Sequence, residues 1–329
     1  MINFSARNIT VFFVALVPAL IWLTVVVRQH RGNRWLVLFT FLGGMIAAKV
    51  ILVYKDYWDT TINFIFFKVS LVDFTSNIQA LVVNTVLATF VIFLGVGVME
   101  EVAKFVVMRM ISLRHFRSID DVIMLAIVSA LGFSFFENTV YFVNHWSLKT
   151  TEFFSLAVFR VTIVTMVHVL CSGVLGYYYG MAFFASPVLK IQMMKQQKHP
   201  ILGFLKRFLN LKSSQVYHDE MLMIGLFTAM LLHGIYDFVL SLDELAKQSE
   251  AVRQFQESIH FPLYIPVMLL YFFGGFWYLR HLFEKKELDL KLGLVGTTVM
   301  PKEDFAALLE QVRQIKDRMS EEINAENDQ

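Results

Sequence analysis

Long apolar runs separated by short charged segments set the pattern of the chain, and they fall at about 8–27, 35–54, 79–98, 121–143, 153–185, 220–241 and 261–282. A helix rising 1.5 Å per residue needs about 20 mainly apolar residues to cross about 30 Å of hydrocarbon. The pattern therefore predicts an all-α protein, a polytopic integral membrane helix bundle of about seven transmembrane helices. Residues 62–74 are also apolar, but the stretch is short and interrupted by Lys68, so it reads as a re-entrant or interfacial piece. Beyond 283 the pattern changes. Phe305, Leu308, Val312, Ile315 and Met319 recur at three- and four-residue spacing behind Pro301, which predicts a short soluble helix. The chain thus divides into a membrane domain, 1–283, and a cytoplasmic helical tail, 284–329. The tail's apolar seam could support self-association or dock on the membrane domain.

Composition agrees. Of 329 residues, 57% are hydrophobic and 17% charged, against about 45–50% and about 25% in soluble domains. The lysines and arginines that follow the first, third and fifth runs, with those of the tail, make up 21 of the 29. Because cytoplasmic loops collect these residues, the N-terminus is expected outside and the C-terminus inside. The first run is too long for a signal peptide and has no small-residue cleavage site before Arg28, so it reads as an uncleaved anchor. Topology accounts for the basic residues, so the net charge of +2 says nothing about nucleic acid; the expected partner is the lipid bilayer, with no nucleic acid. The single cysteine, Cys171, excludes an intramolecular disulfide framework.

Against this background the ionisable residues inside the runs stand out, since each costs at least about 2.5–3.5 kcal/mol to place in a membrane. The stretch 98-VMEEVAKFVV-107 carries Glu100, Glu101 and Lys104; 133-FSFFEN-138 carries Glu137; 168-HVLCSGVLG-176 carries His168; 233-HGIYD-237 carries His233 and Asp237. Lys104 is three and four residues from the glutamates, so both can reach it from one helix. His233 and Asp237 share a helical face, which suits a carboxylate that fixes an imidazole's tautomer. Simpler roles compete. The Glu100–Glu101–Lys104 group could mark the cytoplasmic interface, and Asp120 and Asp121 suit a helix start by its dipole. Lys49 can snorkel, and Tyr177, Tyr178 and Tyr179 read as an interfacial aromatic belt. Glu137 and Arg160 come out at a shared depth, about 21 Å from the inner face and about 10 Å from the outer, which would suit a structural ion pair.

Taken together, EExxK, FxxxE, a histidine with a glycine eight residues on, and HxxxD occur in that order on successive spans. The order resembles the PrsW family of intramembrane proteases, with Glu100, Glu101 and Lys104, then Phe133 and Glu137, then His168, then His233 and Asp237 as the matching residues. The resemblance covers about 80–240. There is a more distant similarity to the CAAX-processing and bacteriocin-immunity proteases, which usually carry arginine where this chain has Phe105. The resemblance implies a peptidase that cleaves a membrane protein substrate, such as a membrane-bound anti-sigma factor in stress signalling, in a bacterial inner membrane.

Hydrolysis of a peptide within a membrane needs a sheltered water, a base and a group that stabilises the oxyanion. Two mechanisms fit these residues. In a glutamic type, Glu101 activates water and the histidines donate hydrogen bonds. In a metallo type, His168, His233 and a carboxylate such as Glu137 hold a divalent metal such as zinc. Proton- or ion-coupled transporters bury similar acids and histidines, though usually with internal repeats that this chain lacks; a haem protein would use the histidines as axial ligands. Depth arithmetic puts Glu100, Glu101 and His168 near the inner face, and Glu137, His233 and Asp237 nearer the outer half, which leaves one shared site or two half-sites.

Overall fold

The computed structural model describes residues 6–28, 34–57, 61–63, 68–70, 85–186, 213–259, 264–292 and 295. Helices α1 (Ala6–Arg28) and α2 (Arg34–Tyr57) come first, followed by two short strands, β1 (Thr61–Asn63) and β2 (Lys68–Ser70). Then come α3 (Thr85–Ser112), α4 (Ile119–Asn144), α5 (Thr150–Phe184) and α6 (Ser213–Leu240). Two short helices, α7 (Leu242–Gln248) and α8 (Glu250–Ile259), precede a last long helix, α9, over 264–291. The seven long helices coincide with the seven apolar runs. Among the described residues five helices, within α2 to α6, are long and apolar enough to cross a membrane. This is an all-α, polytopic integral membrane protein.

The described part of the 62–74 stretch is an antiparallel pairing of β1 with β2, in which Ile62 faces Val69. The seam expected at 305–319 lies outside the described residues.

Helix α4 is the centre of the bundle. Of its apolar window 89% is buried inside the protein, against 22% in α3 and 28% in α6. It packs against α1, α2, α3 and α5, while α6 packs against α3 and α5 on the far side. Its start is fixed locally, since the Asp121 amide donates to Ser118 Oγ at 3.2 Å and Asp121 Oδ2 accepts from the Arg117 amide at 2.8 Å.

Two expectations are corrected. Helix α3 does not end at its charged residues Glu100, Glu101 and Lys104 but continues to Ser112. A hydropathy pattern stops at the first charges; the helix does not, because Glu100, Glu101 and Lys104 are buried against neighbouring helices. The tyrosines are not an interfacial belt either. Tyr177 and Tyr179 are buried, and Tyr179 meets Phe105 edge to face at 4.8 Å. Their helix lies between α4 and α6, so its aromatic rings fill the core.

Candidate active site

The site forms where α3, α4, α5 and α6 meet. Within it, α3 and α6 approach closely. A Cβ on Gly97 would lie 2.8 Å from the Met230 carbonyl oxygen, and one on Gly234 would lie 2.8 Å from Leu94 Cα. Only glycine permits the two backbones to come this near. Gly97 lies about one turn before Glu100 and Glu101, and Gly234 follows His233, so the contact delivers an imidazole from α6 onto the carboxylates of α3.

Glu101 is fully buried and accepts three hydrogen bonds. Lys104 Nζ donates at 2.8 Å and His233 Nδ1 at 2.7 Å, both to Oε1, while Ser172 Oγ donates to Oε2 at 3.3 Å. Since a carboxylate only accepts, the proton of neutral His233 is on Nδ1. Its Nε2 then faces Glu100 Oε2 at 3.5 Å and Asp237 Oδ2 at 3.6 Å. The tautomer-fixing role expected of Asp237 belongs here to Glu101.

Lys104 makes a second bond, to His168 Nδ1 at 2.8 Å, and its Nζ also lies 3.8 Å from Glu100 Oε2. The Phe133 ring covers the ammonium at 4.3 Å, and Ser129 Oγ donates to the Lys104 carbonyl at 3.1 Å. An ammonium only donates, so His168 Nδ1 accepts and the ring proton sits on Nε2, directed at Glu137 Oε2 at 3.1 Å.

The other oxygen of Glu137 is 3.1 Å from an Arg160 terminal nitrogen, so the depth-matched ion pair exists. Arg160 Nε donates to Asn138 Oδ1 at 2.9 Å, and the guanidinium lies 3.9 Å over the Tyr141 ring. The backbone makes this meeting possible. Arg160 and His168 are eight residues apart, roughly 80° around a regular α-helix. Between them α5 contains one π turn, Arg160–Val164, and such a bulge absorbs about one residue, reducing the offset to roughly 20°. Both side chains therefore face Glu137. The Thr165 hydroxyl donates to the Arg160 carbonyl at 3.2 Å, accommodating the bulge.

All seven residues singled out from the sequence thus converge in one cluster, and the two half-sites merge. Glu137, proposed from sequence as a ligand, bridges Arg160 and His168, whereas the ligand atoms of Glu100, His168 and His233 lie within 4.8 Å of one another. Glu100 Oε2 is buried and has no hydrogen-bond partner. Four carboxylates and two cationic side chains, Lys104 and Arg160, share the cluster, a donor set of the kind that binds a divalent ion. Buried Glu100, His168 and His233 could hold such an ion. Sequence reasoning missed Asn138, Ser129 and Ser172 in this network; Ser172 alone left a signal, four residues after His168 and so on the same face.

No curated protein and no solved structure was found to match the chain. A family model described as PrsW family intramembrane metalloprotease matches residues 32–272. That match spans every helix of the site, and a buried glutamate–histidine cluster inside a membrane bundle is what such an enzyme requires: the chain belongs to the PrsW family of intramembrane metalloproteases.

Proposed function

We propose that the chain is a metal-dependent endopeptidase rather than a metal-free glutamic one, with Glu100, His168 and His233 holding the cation. The observation that carries this reading is Glu100 Oε2, a buried oxygen without a hydrogen-bond partner that faces His233 Nε2 at 3.5 Å. Glu101 is less suited to act as base, because three donors already occupy it. It holds His233 by Nδ1 and keeps Nε2 turned toward Glu100, the usual second-shell role of a carboxylate behind a ligating histidine. Lys104 spaces the glutamates and orients His168. For His168 Nε2 to take a cation, its proton would pass to Glu137 Oε2 at 3.1 Å while Lys104, 2.8 Å from Nδ1, would give one to that nitrogen, so that the ring stays a neutral imidazole. A bound divalent cation would supply Lewis-acid polarisation of the scissile carbonyl and of water.

The substrate in this reading is a membrane protein, with a membrane-bound anti-sigma factor as the class the family implies and a bacterial inner membrane as the location. The loop charges favour an outside N-terminus and a cytoplasmic C-terminus, with 284–329 as a cytoplasmic tail whose first residues continue α9. Metal analysis of purified protein tests the central claim. Wild type should carry about one divalent ion per chain, and His233→Ala and His168→Ala should lose it together with cleavage. Undiminished cleavage by rigorously metal-free protein would return the mechanism to the glutamic type.

A further inference from the structure

Arg160 is over nine-tenths buried, yet one of its terminal nitrogens has no acceptor in hydrogen-bonding geometry. The Glu137 oxygen 3.1 Å away provides charge but not an aligned bond. The rest of the guanidinium is fixed, by Asn138 at Nε and by the Tyr141 ring, and the π turn fixes its backbone. A rigid, desolvated donor left unmatched within a membrane bundle is costly unless something arrives to accept from it.

The carboxylate beside it is not sealed. Glu137 retains 25% of its side-chain exposure, while Glu101 retains none. An arriving membrane segment brings the matching need. Helical carbonyls are occupied by their own amides, so the segment must unwind locally to be cut. Each carbonyl freed in a dry environment then lacks a donor. We propose that Arg160 is a substrate-binding residue that donates from this terminal nitrogen to a backbone carbonyl flanking the scissile bond. The inference rests on the peptidase reading above. Its alternative is that Arg160 only balances the charge of Glu137.

The full-length protein, expressed in bacterial membranes, provides the test, with the host membrane proteome as substrate and new peptide N-termini within membrane segments as readout. Metal content and melting temperature of the purified protein are measured alongside. Arg160→Lys keeps the charge beside Glu137 but loses the planar fork. Metal content and melting temperature should stay near wild type, while the yield of new N-termini falls about 100-fold, as for loss of a preorganised donor. Asn138→Ala, which frees Nε and lets the guanidinium swing, is the second variant and should lose at least tenfold, more than its effect on melting explains. Wild-type yield from Arg160→Lys, or from Asn138→Ala should the lysine variant not insert, would reduce Arg160 to charge balance and overturn the proposal while leaving the peptidase reading intact. Absence of new N-termini from wild type itself would overturn that reading, and this inference with it.

Discussion

Glu101 and Glu137 are each held by one cation and one histidine, yet they occupy unlike surroundings. Glu101 is sealed, its oxygens taken by Lys104, His233 and Ser172. Glu137 keeps a quarter of its side chain exposed, and its partner Arg160 retains an unmatched nitrogen. A carboxylate with both oxygens filled, as Glu101 is, fixes the orientation of His233 on which the proposed metal set depends, because any rotation would strand a buried charge. An open network with spare donors can receive a substrate. In the reading proposed above, the same chemical parts serve geometry at one end and recognition at the other.

The largest effect should come from breaking the sealed end. Lys104→Met leaves Glu101 and Glu100 without their cation, and removing one partner of a buried pair costs about 3–5 kcal/mol. Thermal melts in detergent should show that loss, whereas Arg160→Met at the open end should cost about 1–3 kcal/mol, between the exposed and buried limits. Equal losses at the two ends would erase the distinction.

Gly234→Ala comes next. Its new Cβ, 2.8 Å from Leu94 Cα, would push α6 off α3, and a displacement near 1 Å typically costs about 100-fold in rate. Cleavage should fall while the protein still inserts; an unchanged rate would mean that the close contact does not set the position of His233. Glu101→Gln should follow, since losing an orienting partner typically costs about 10–100-fold in metal affinity. Competition with a chelator of known affinity measures this, and an unaltered affinity would remove Glu101 from the metal's support. The smallest effect is expected outside the cluster. Lys247 pairs with Glu244 at 2.6 Å, but both are more than two-thirds exposed, so Lys247→Ala should change stability by less than about 1 kcal/mol.

Much of this was legible in the residues. The apolar runs gave the long helices, and the local spacings of EExxK and HxxxD put the right groups on shared faces. Depth was not legible. Counting from the ends of hydropathy runs separated Glu100, Glu101 and His168 from Glu137, His233 and Asp237. In the fold α3 continues through its charges to Ser112, which leaves Glu100 and Glu101 well inside the helix rather than at its end. Nor was the tautomer partner of His233 legible: the neighbour in sequence, Asp237, stands 3.6 Å away, while Glu101, from another helix, makes the 2.7 Å bond.

By itself, then, the sequence determined helix type, approximate span positions and the local pairs, since these depend on a 1.5 Å rise, a 3.6-residue turn and the cost of charge in hydrocarbon. Tertiary structure alone decided which groups meet. The Gly97–Gly234 contact chose Glu101 as the partner of His233, and the π turn in α5 rotated Arg160 and His168 onto opposite oxygens of Glu137. Both depend on how separate helices settle against one another, on backbone clearance and on one absorbed residue, and no periodicity within a single run encodes either.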